Sequence, residues 1–513
     1  MTNERVSRRT VLRAGAVGAG VLAAGVPGVA LATRQRPVLT HGVQTGDVTT
    51  DGAIVWTRAD RPARMLVEVA YDRDGVADFR RSRVVRGPVL TPETGGTGKL
   101  RLDHLAPGRT VHYRVTAEDL DGRARSEALT GSFRTAPAGR EDVRFTWSGD
   151  VAGQGWGINP DIGGMTAYRS MLARRPDFFL HSGDTVYADG PLAETVALPD
   201  GRVWRNLVTR EKTKVAETLD EYRGQFAYNM LDENVRAFAA RVPSVVQWDD
   251  HEVTNNWYPG EILDLPQYTE KRVDVLAARA FRAFHEWQPI DERRAVDGRV
   301  YRSFSYGRHV EVFVLDMRTY KDANNSPRDG RGVVLGARQA RWLVDGLARS
   351  TATWKIVAAD LPIGLTVPDG ADIEGVANGL PGVPGGREHE LAGVLRTLAR
   401  RRVRNVVWLT ADVHYTAAHH YSPDRAAVGD FDPFWEFVSG PLHAGAFGPN
   451  TLDPTFGPEA VFTHAPPRAN TSPLEGFQHF GEVRVDGGSG ALTVWLRDGQ
   501  GVSLWSRTLA PQR

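Results

Sequence analysis

Cysteine is absent from the 513 residues. That excludes a disulfide framework, a thiolate metal site and a cysteine nucleophile together, so any metal must be held by His, Asp, Glu, Asn or Tyr. An excess of charge is absent as well. The chain has 63 Lys and Arg against 62 Asp and Glu, a formal net charge of +1, which leaves no bulk electrostatic footprint for nucleic acid or an anionic membrane. The partners expected are small or neutral molecules, with no stable nucleic-acid binding. Repeats and low-complexity tracts are missing too, and 41% hydrophobic with 24% charged residues excludes disorder and coiled coil as whole-chain states. The length suffices for two or three domains, each with its own core.

Long apolar runs are scarce, and the one at 14–32 carries five glycines and Pro27, a composition too weak for a stable spanning helix. It follows a basic start with Arg5, Arg8, Arg9 and Arg13, in which Ser7-Arg8-Arg9-Thr10-Val11-Leu12 is a twin-arginine pattern, and it closes on Ala30-Leu31-Ala32, a small-x-small cleavage site. Residues 1–32 are therefore expected to be a twin-arginine signal peptide. Export through that machinery places the mature chain outside the cytoplasm, as a secreted, periplasmic or envelope-associated protein with no transmembrane helix.

What is present changes texture along the mature chain. Residues 36–135 read as short alternating runs (53–57, 65–71, 100–105, 110–117) separated by turn signals such as Gly46-Asp47, Asp51-Gly52 and Pro107-Gly108, the pattern of an all-β sandwich similar to fibronectin type III. From 141 to 513 strand-like runs alternate with helical ones. Strands are expected at 143–149, 178–181, 242–248, 310–315, 355–359 and 405–409, with helical segments at 165–174, 214–241, 269–287 and 388–401 and further strands over 480–509. The segment 269–287 has Val273, Leu276, Ala277, Ala280, Phe281 and Phe284 on one face, a packing stripe and not a site. A Gly- and Pro-rich loop covers 367–387.

In an open α/β sheet, ligands bind outside the carboxyl ends of the strands. Polar clusters stand at those positions: Gly149-Asp150, Gly183-Asp184-Thr185-Val186-Tyr187, Asp249-Asp250-His251-Glu252, Asp360, and Asp412-Val413-His414. Each alone reads as a turn or a structural residue; together they resist that reading. Hard oxygen ligands with imidazole suit a two-metal site, which holds a hydroxide between its ions for in-line attack on phosphorus while a neighbouring His assists the leaving oxygen.

The order of these motifs resembles the calcineurin-like metallophosphoesterase superfamily, and Gly183 to Tyr187 resembles the Gly-Asp-x-x-Tyr of purple acid phosphatases. The closer resemblance is to the alkaline phosphatase D family. That similarity rests on His41-Gly42-Val43-Gln44-Thr45-Gly46-Asp47, Ala53 to Arg58, Trp248 to Glu252, Leu315-Asp316-Met317-Arg318-Thr319-Tyr320 and Phe480-Gly481. The resemblance implies a four-layer αββα metallophosphoesterase domain behind the smaller sandwich. It implies Asp150 as a ligand of the first metal, Asp184 as the bridging carboxylate, Tyr187 as a phenolate on a ferric ion, and Asp250, Asp412 and His414 as further ligands. Asp360, also implied as a metal ligand, stands where a middle-strand His is usual, His251 becomes the acid for the leaving group, and Arg318 and Asn256 are candidates for phosphate contact, with a salt bridge or turn as the alternative for each. Iron(III) with calcium(II) is the implied pair. Iron–calcium members carry Cys where this chain has Asp150, so zinc, manganese or cobalt are alternatives.

The activity expected is alkaline phosphatase, hydrolysing monoesters and also diesters. One alternative is a phosphodiesterase or phospholipase-D-like enzyme on lipid or polymer phosphodiesters, with Trp257, Tyr258, Phe434 and Trp435 lining a larger cleft. The other is a non-catalytic cell-surface binding protein.

Overall fold

The structure, a computed structural model, describes residues 36–73 and 76–512; the expected signal peptide lies outside them. Two mixed sheets stack face to face. The first has nine strands in the order Ser503–Leu509, Leu492–Asp498, His479–Val485, Val143–Ser148, Phe178–Ser182, Ser244–Gln247, Leu39–Gly46, Ala53–Ala59 and Thr97–Leu102. The second has seven, in the order Arg302–Tyr306, Val310–Val314, Trp354–Ala358, Val406–Thr410, Phe434–Val438, Thr416–Tyr421 and Pro458–His464. The central strands of each run parallel, so their carboxyl ends share one edge of the stack.

Alternation along the strands builds the layers, because successive side chains leave a strand on opposite faces. Phe178, Leu180, Val312, Val314, Ile356, Ala358, Val407 and Leu409 point between the sheets. Phe179 and Val246 point outward under the helices Thr166–Ala173, Leu219–Asn229, Glu233–Ala239 and Val273–Trp287. Phe313, Val357 and Trp408 point outward under Gly336–Arg349 and Glu388–Arg400. Helices, two sheets and helices make the αββα order. The helical segment expected over 214–241 is two helices, since the chain leaves the first at Met230 and Asp232 caps the second by accepting from Asn234 and Val235 N–H. The helix Gly336–Arg349 and the strands Thr416–Tyr421, Phe434–Val438 and Pro458–His464 have no counterpart in the sequence reading.

The N-terminal β region contributes a five-stranded sheet of Ala63–Arg73, Val76–Ala77, Arg83–Leu90, Thr110–Asp119 and Leu129–Arg134, closed over a core that includes Met65, Val67, Leu90, Val115 and Phe133. Its other three strands extend the nine-stranded sheet through a parallel pairing of Gly46 with Ser244. A buried ion pair locks that junction. Arg302 meets both carboxylate oxygens of Asp47 (2.9 and 2.8 Å) and donates to the carbonyls of Val246 and Val300, with both side chains 1% exposed.

Phe434 and Trp435 correct the expected cleft. Trp435 pairs in parallel register with Val407, so both residues sit at the start of strands whose far ends face Asp412. Phe434 stacks on Tyr421 and Trp435 on Phe437 (centroids 4.5 and 5.6 Å). They line a hollow at the opposite edge of the stack, away from the carboxylate cluster.

Removing one partner of a buried pair strands the other charge. Asp47→Ala is therefore expected to lower unfolding stability by about 3–5 kcal/mol, and Asp47→Ala/Arg302→Met by clearly less than the sum of the singles, read from urea denaturation at neutral pH.

Candidate metal centre

Every acidic or imidazole cluster read from the sequence meets at the shared carboxyl edge of the two sheets. Asp150 follows Val143–Ser148, Asp184 follows Phe178–Ser182, and Asp249 to Glu252 follow Ser244–Gln247. From the facing sheet come Arg318 beyond Val310–Val314, Asp360 after Trp354–Ala358, and Asp412 and His414 after Val406–Thr410. Asp150, Asp184, Asp412 and His414 all have left-handed backbone, with φ of 65, 49, 65 and 59°. Non-glycine residues hold that conformation where the surroundings over-determine it, at a cost of about 1–3 kcal/mol each. The sharp turn aims each side chain back across the strand ends.

Three groups of potential ligand atoms lie within 4.8 Å of one another: Asp150, Asp184 and His414; Asp184, Asp250 and His251; and Asp249, Asp250 and Asp412. The first two share Asp184, the geometry of a carboxylate between two cations. Both oxygens of Asp150 and Oδ1 of Asp250 are buried with no hydrogen-bond partner among the described residues, an arrangement costly for carboxylates unless cations take those lone pairs. His414 Nδ1–H donates to the Gly445 carbonyl (2.5 Å), which leaves Nε2 as the lone-pair nitrogen, 3.6 Å from Asp150 Oδ1 and 2.9 Å from the Tyr187 hydroxyl. Burial lowers the pKa of His414 to about 4, so the ring is the neutral form that binds metals. The donor set of carboxylate, phenol and imidazole fits hard or borderline cations.

Electrostatics separate the carboxylates. Burial first, then the neighbouring acids, raise Asp150 and Asp184 well above the usual range, and the same burial raises Tyr187. Asp250 goes the other way: burial opposes ionisation, but His251, Arg318 and the Asn256 N–H outweigh it and bring the pKa to about 2. For His251, burial disfavours the cation, yet Asp189 and Asp250 dominate and raise it to about 10. Its Nδ1–H donates to both oxygens of Asp189 (2.8 and 2.9 Å), its ring stacks on Tyr187 at 4.1 Å, and Nε2 lies 3.8 Å from Asp250 Oδ2. The ring is fixed in plane and in tautomer.

Two of the expected residues have other surroundings. Asp360 belongs to none of the three groups; it accepts from Gln247 (3.2 Å) and lies 3.4 Å from Arg318 Nε, beneath the guanidinium and away from Asp150, Asp184 and His414. Arg318 has no exposed surface and spends its nitrogens on Asp249 and Glu374, with Asp412 and Asp250 at 3.4 and 3.7 Å. The salt-bridge alternative thus describes its contacts. Asn256 stands half-buried, its N–H on Asp250 Oδ2 (2.5 Å) and its Nδ2 on Asp369 (3.0 Å).

Residues that sequence reasoning missed sit behind these. Asp189 orients His251. Glu252 accepts from Thr185 N–H and hydroxyl (2.5 Å each) and from Asp249 N–H (2.7 Å), tying the Asp184 turn to the Asp249 turn. Asp369 and Glu374 reach in from the loop 367–387, where Arg387 gathers the carbonyls of Ile373, Glu374 and Gly375. The only signal for Asp189 is its place two residues after Tyr187; for the loop acids there is none. Gly440 is a close approach, since a Cβ there would lie 2.0 Å from Asp150 Oδ2.

A family model described as PhoD-like phosphatase matches residues 145–496, and another, PhoD-like phosphatase, N-terminal domain, matches residues 26–137. Alkaline phosphatase D of Bacillus subtilis (strain 168) is 28% identical over 431 residues, covering 80% of this chain and 70% of that protein. A solved structure of PhoD superposes with a TM-score of 0.69 at 22% identity, covering 92% of this chain and 90% of the other. Purple acid phosphatase PPD1 from yellow lupin (Lupinus luteus) seeds follows at 0.58 and 15%, covering 93% and 74%. The fold is thus that of the metallophosphoesterases with an N-terminal β region, and the chain belongs to the PhoD-like phosphatase family, whose members are phosphoric ester hydrolases.

Proposed function

We propose that this chain is an exported alkaline phosphatase, cleaving phosphate monoesters and also diesters at the centre formed by Asp150, Asp184, Tyr187, Asp250, Asp412 and His414. The observation that carries the reading is the position of Asp184 in two ligand groups at once, one with Asp150 and His414 and the other with Asp250 and His251. Asp150, Asp184, Tyr187 and His414 would hold one ion, and Asp184, Asp250 and Asp412 the other. Iron(III) with calcium(II) is the family expectation, and the donor set of oxygens and one imidazole that Asp150 completes equally admits zinc, manganese or cobalt. When bound, such ions neutralise phosphate oxygens and lower the pKa of water.

The chain's own groups do the rest. His251, protonated into the alkaline range because Asp189 and Asp250 face it, donates its Nε2 proton to the departing oxygen. Asp189 fixes the ring so that Nε2 and not Nδ1 faces the site. Asn256, at the rim, takes the substrate-contact role; Arg318, fully buried, does not. Export rests on the twin-arginine pattern of residues 1–32.

Assays of p-nitrophenyl phosphate and bis-p-nitrophenyl phosphate should both exceed an Asp184→Ala background, the monoester faster, with metal content falling in the variant. Full activity in Asp184→Ala that retains its metal would remove the bridging role. His251→Asn should keep its metal and lose about 10²–10⁴-fold in kcat on phenyl phosphate, but less on p-nitrophenyl phosphate, whose leaving group needs little help. Equal losses on both esters would take the acid role from His251. Gly440→Ala should displace Asp150 and reduce bound metal while the far-UV circular dichroism spectrum is unchanged; wild-type metal content would show that Asp150 is dispensable.

A further inference from the structure

The third group of oxygens, Asp249, Asp250 and Asp412, has the spacing of a cation site, and a cation already reaches it. Nη2 of Arg318 makes a short contact with Asp249 Oδ1 and lies 3.4 Å from Asp412 Oδ1 and 3.7 Å from Asp250 Oδ1. A divalent ion bound by these oxygens needs distances of about 2.0–2.6 Å, which puts it on the nitrogen. The rest of the guanidinium is committed as well: Nε donates to Asp249 (2.6 Å) and faces Asp360, and Nη1 holds Glu374 from the loop 367–387. With the side chain fully buried, the group cannot swing out to release the position. A guanidinium does not deprotonate in proteins, so its charge is permanent where a metal's depends on supply.

We propose that Arg318 is a positioning residue that occupies the third cation position of the centre with a fixed charge, so that Asp249 takes no metal and Asp412 Oδ1 is held by the guanidinium, while Asp250 Oδ1, 3.7 Å from Nη2 and without a hydrogen bond, is left to the ion pair. This rests on the metal-dependent reading above and adds to it a limit on ion number. The same guanidinium couples the loop to the ligands, because Glu374 shares it with Asp249.

The test is anomalous diffraction from crystals of the full mature chain loaded with Mn²⁺, together with ion stoichiometry for the wild type, Arg318→Gln and Arg318→Lys. In the wild type, peaks are expected at Asp150, Asp184 and His414 and beside Asp250, with none in coordination range of Asp249. Arg318→Gln should bind one more ion, located at Asp249, and lose about 10–100-fold in kcat/KM, as removal of groups behind metal ligands does. Arg318→Lys, which keeps the charge, should bind the wild-type number. A wild-type peak at Asp249 beside filled main sites overturns this inference alone, as does a folded Arg318→Gln protein with unchanged stoichiometry. Should Arg318→Gln fail to fold, the wild-type map decides. The lack of any peak at Asp150, Asp184 and His414 overturns the metal reading and this inference with it.

Discussion

Like charges forced together away from water are what this fold has to contain. Asp150, Asp184, Asp249, Asp250, Asp360 and Glu374 are buried and meet, with the partly buried Asp412, at one edge of the sheet stack. Two such charges 4 Å apart repel by about 4 kcal/mol at the effective dielectric found near protein groups, and burial adds a further penalty for each ionised group. The direction of the pKa shifts states the same fact, with Asp150, Asp184, Asp360 and Asp412 all raised, burial being the first cause in every case. Protonation or cations relieve it, and the buried Arg318 guanidinium lies against Asp249, Asp360 and Asp412.

The scaffold tolerates this concentration because its stabilisation lies elsewhere. The interior between the sheets is filled by Phe, Val, Ile and Leu side chains from both, and two further apolar layers hold the helices on the outside. Burial at roughly 25 cal/mol per Å² over layers of this kind offsets a frustrated edge. The frustration is confined to residues past the strand ends, where turns with left-handed backbone at Asp150, Asp184 and Asp412 depart from the ladder without breaking it. Those turns are braced in pairs: Glu252 links the second strand end to the third, and the Gly440 approach seats a loop against Asp150. Preorganisation of this kind is what a site that must receive ions and a charged ester requires.

The strand ends were readable because parallel strands buried on both faces leave nearly continuous apolar runs with a polar stop, and Asp150, Asp184, Asp250 and His414 each stand at such a stop. Two kinds of information were not readable. Pairing between distant segments leaves no local pattern, so nothing in residues 36–46 says that Gly46 will lie against Ser244 or that Asp47 will meet Arg302. Orientation at a turn is the second. Asp249 and Asp250 are adjacent and alike in sequence, yet one faces Arg318 and the other the Asp184 group, and Asp360 ends a strand as Asp150 does but faces Arg318 from below. The helix Gly336–Arg349 has few strong hydrophobes, Leu343, Val344 and Leu347 being its buried apolar side chains beside Gln339, so its stripe is hard to see among Arg and Gly. Contributions from the loop 367–387 depend on contacts distant in the chain, as with Asp369 and Asn256, 113 residues apart.

The choice of Asp at position 150 bears on which ion the centre prefers. A thiolate there would soften the donor set and favour polarisable metals; a carboxylate leaves Asp150, Asp184, Tyr187 and His414 with oxygen at three of four positions. On the proposed ligand set, Tyr187 then becomes the discriminating group. Burial, with Asp184 and Asp150 beside it, raises its phenol far above the usual range, and in that state the hydroxyl donates to His414 Nε2, occupying the lone pair a metal would need. An ion that takes the His414 lone pair displaces this internal hydrogen bond, and the hydroxyl proton then turns to Asp184 or is lost, the loss becoming easier as the ion's charge rises. On the proposed ligand set, the burial that makes the carboxylates repel one another therefore also raises the cost of replacing the Tyr187–His414 contact by an ion.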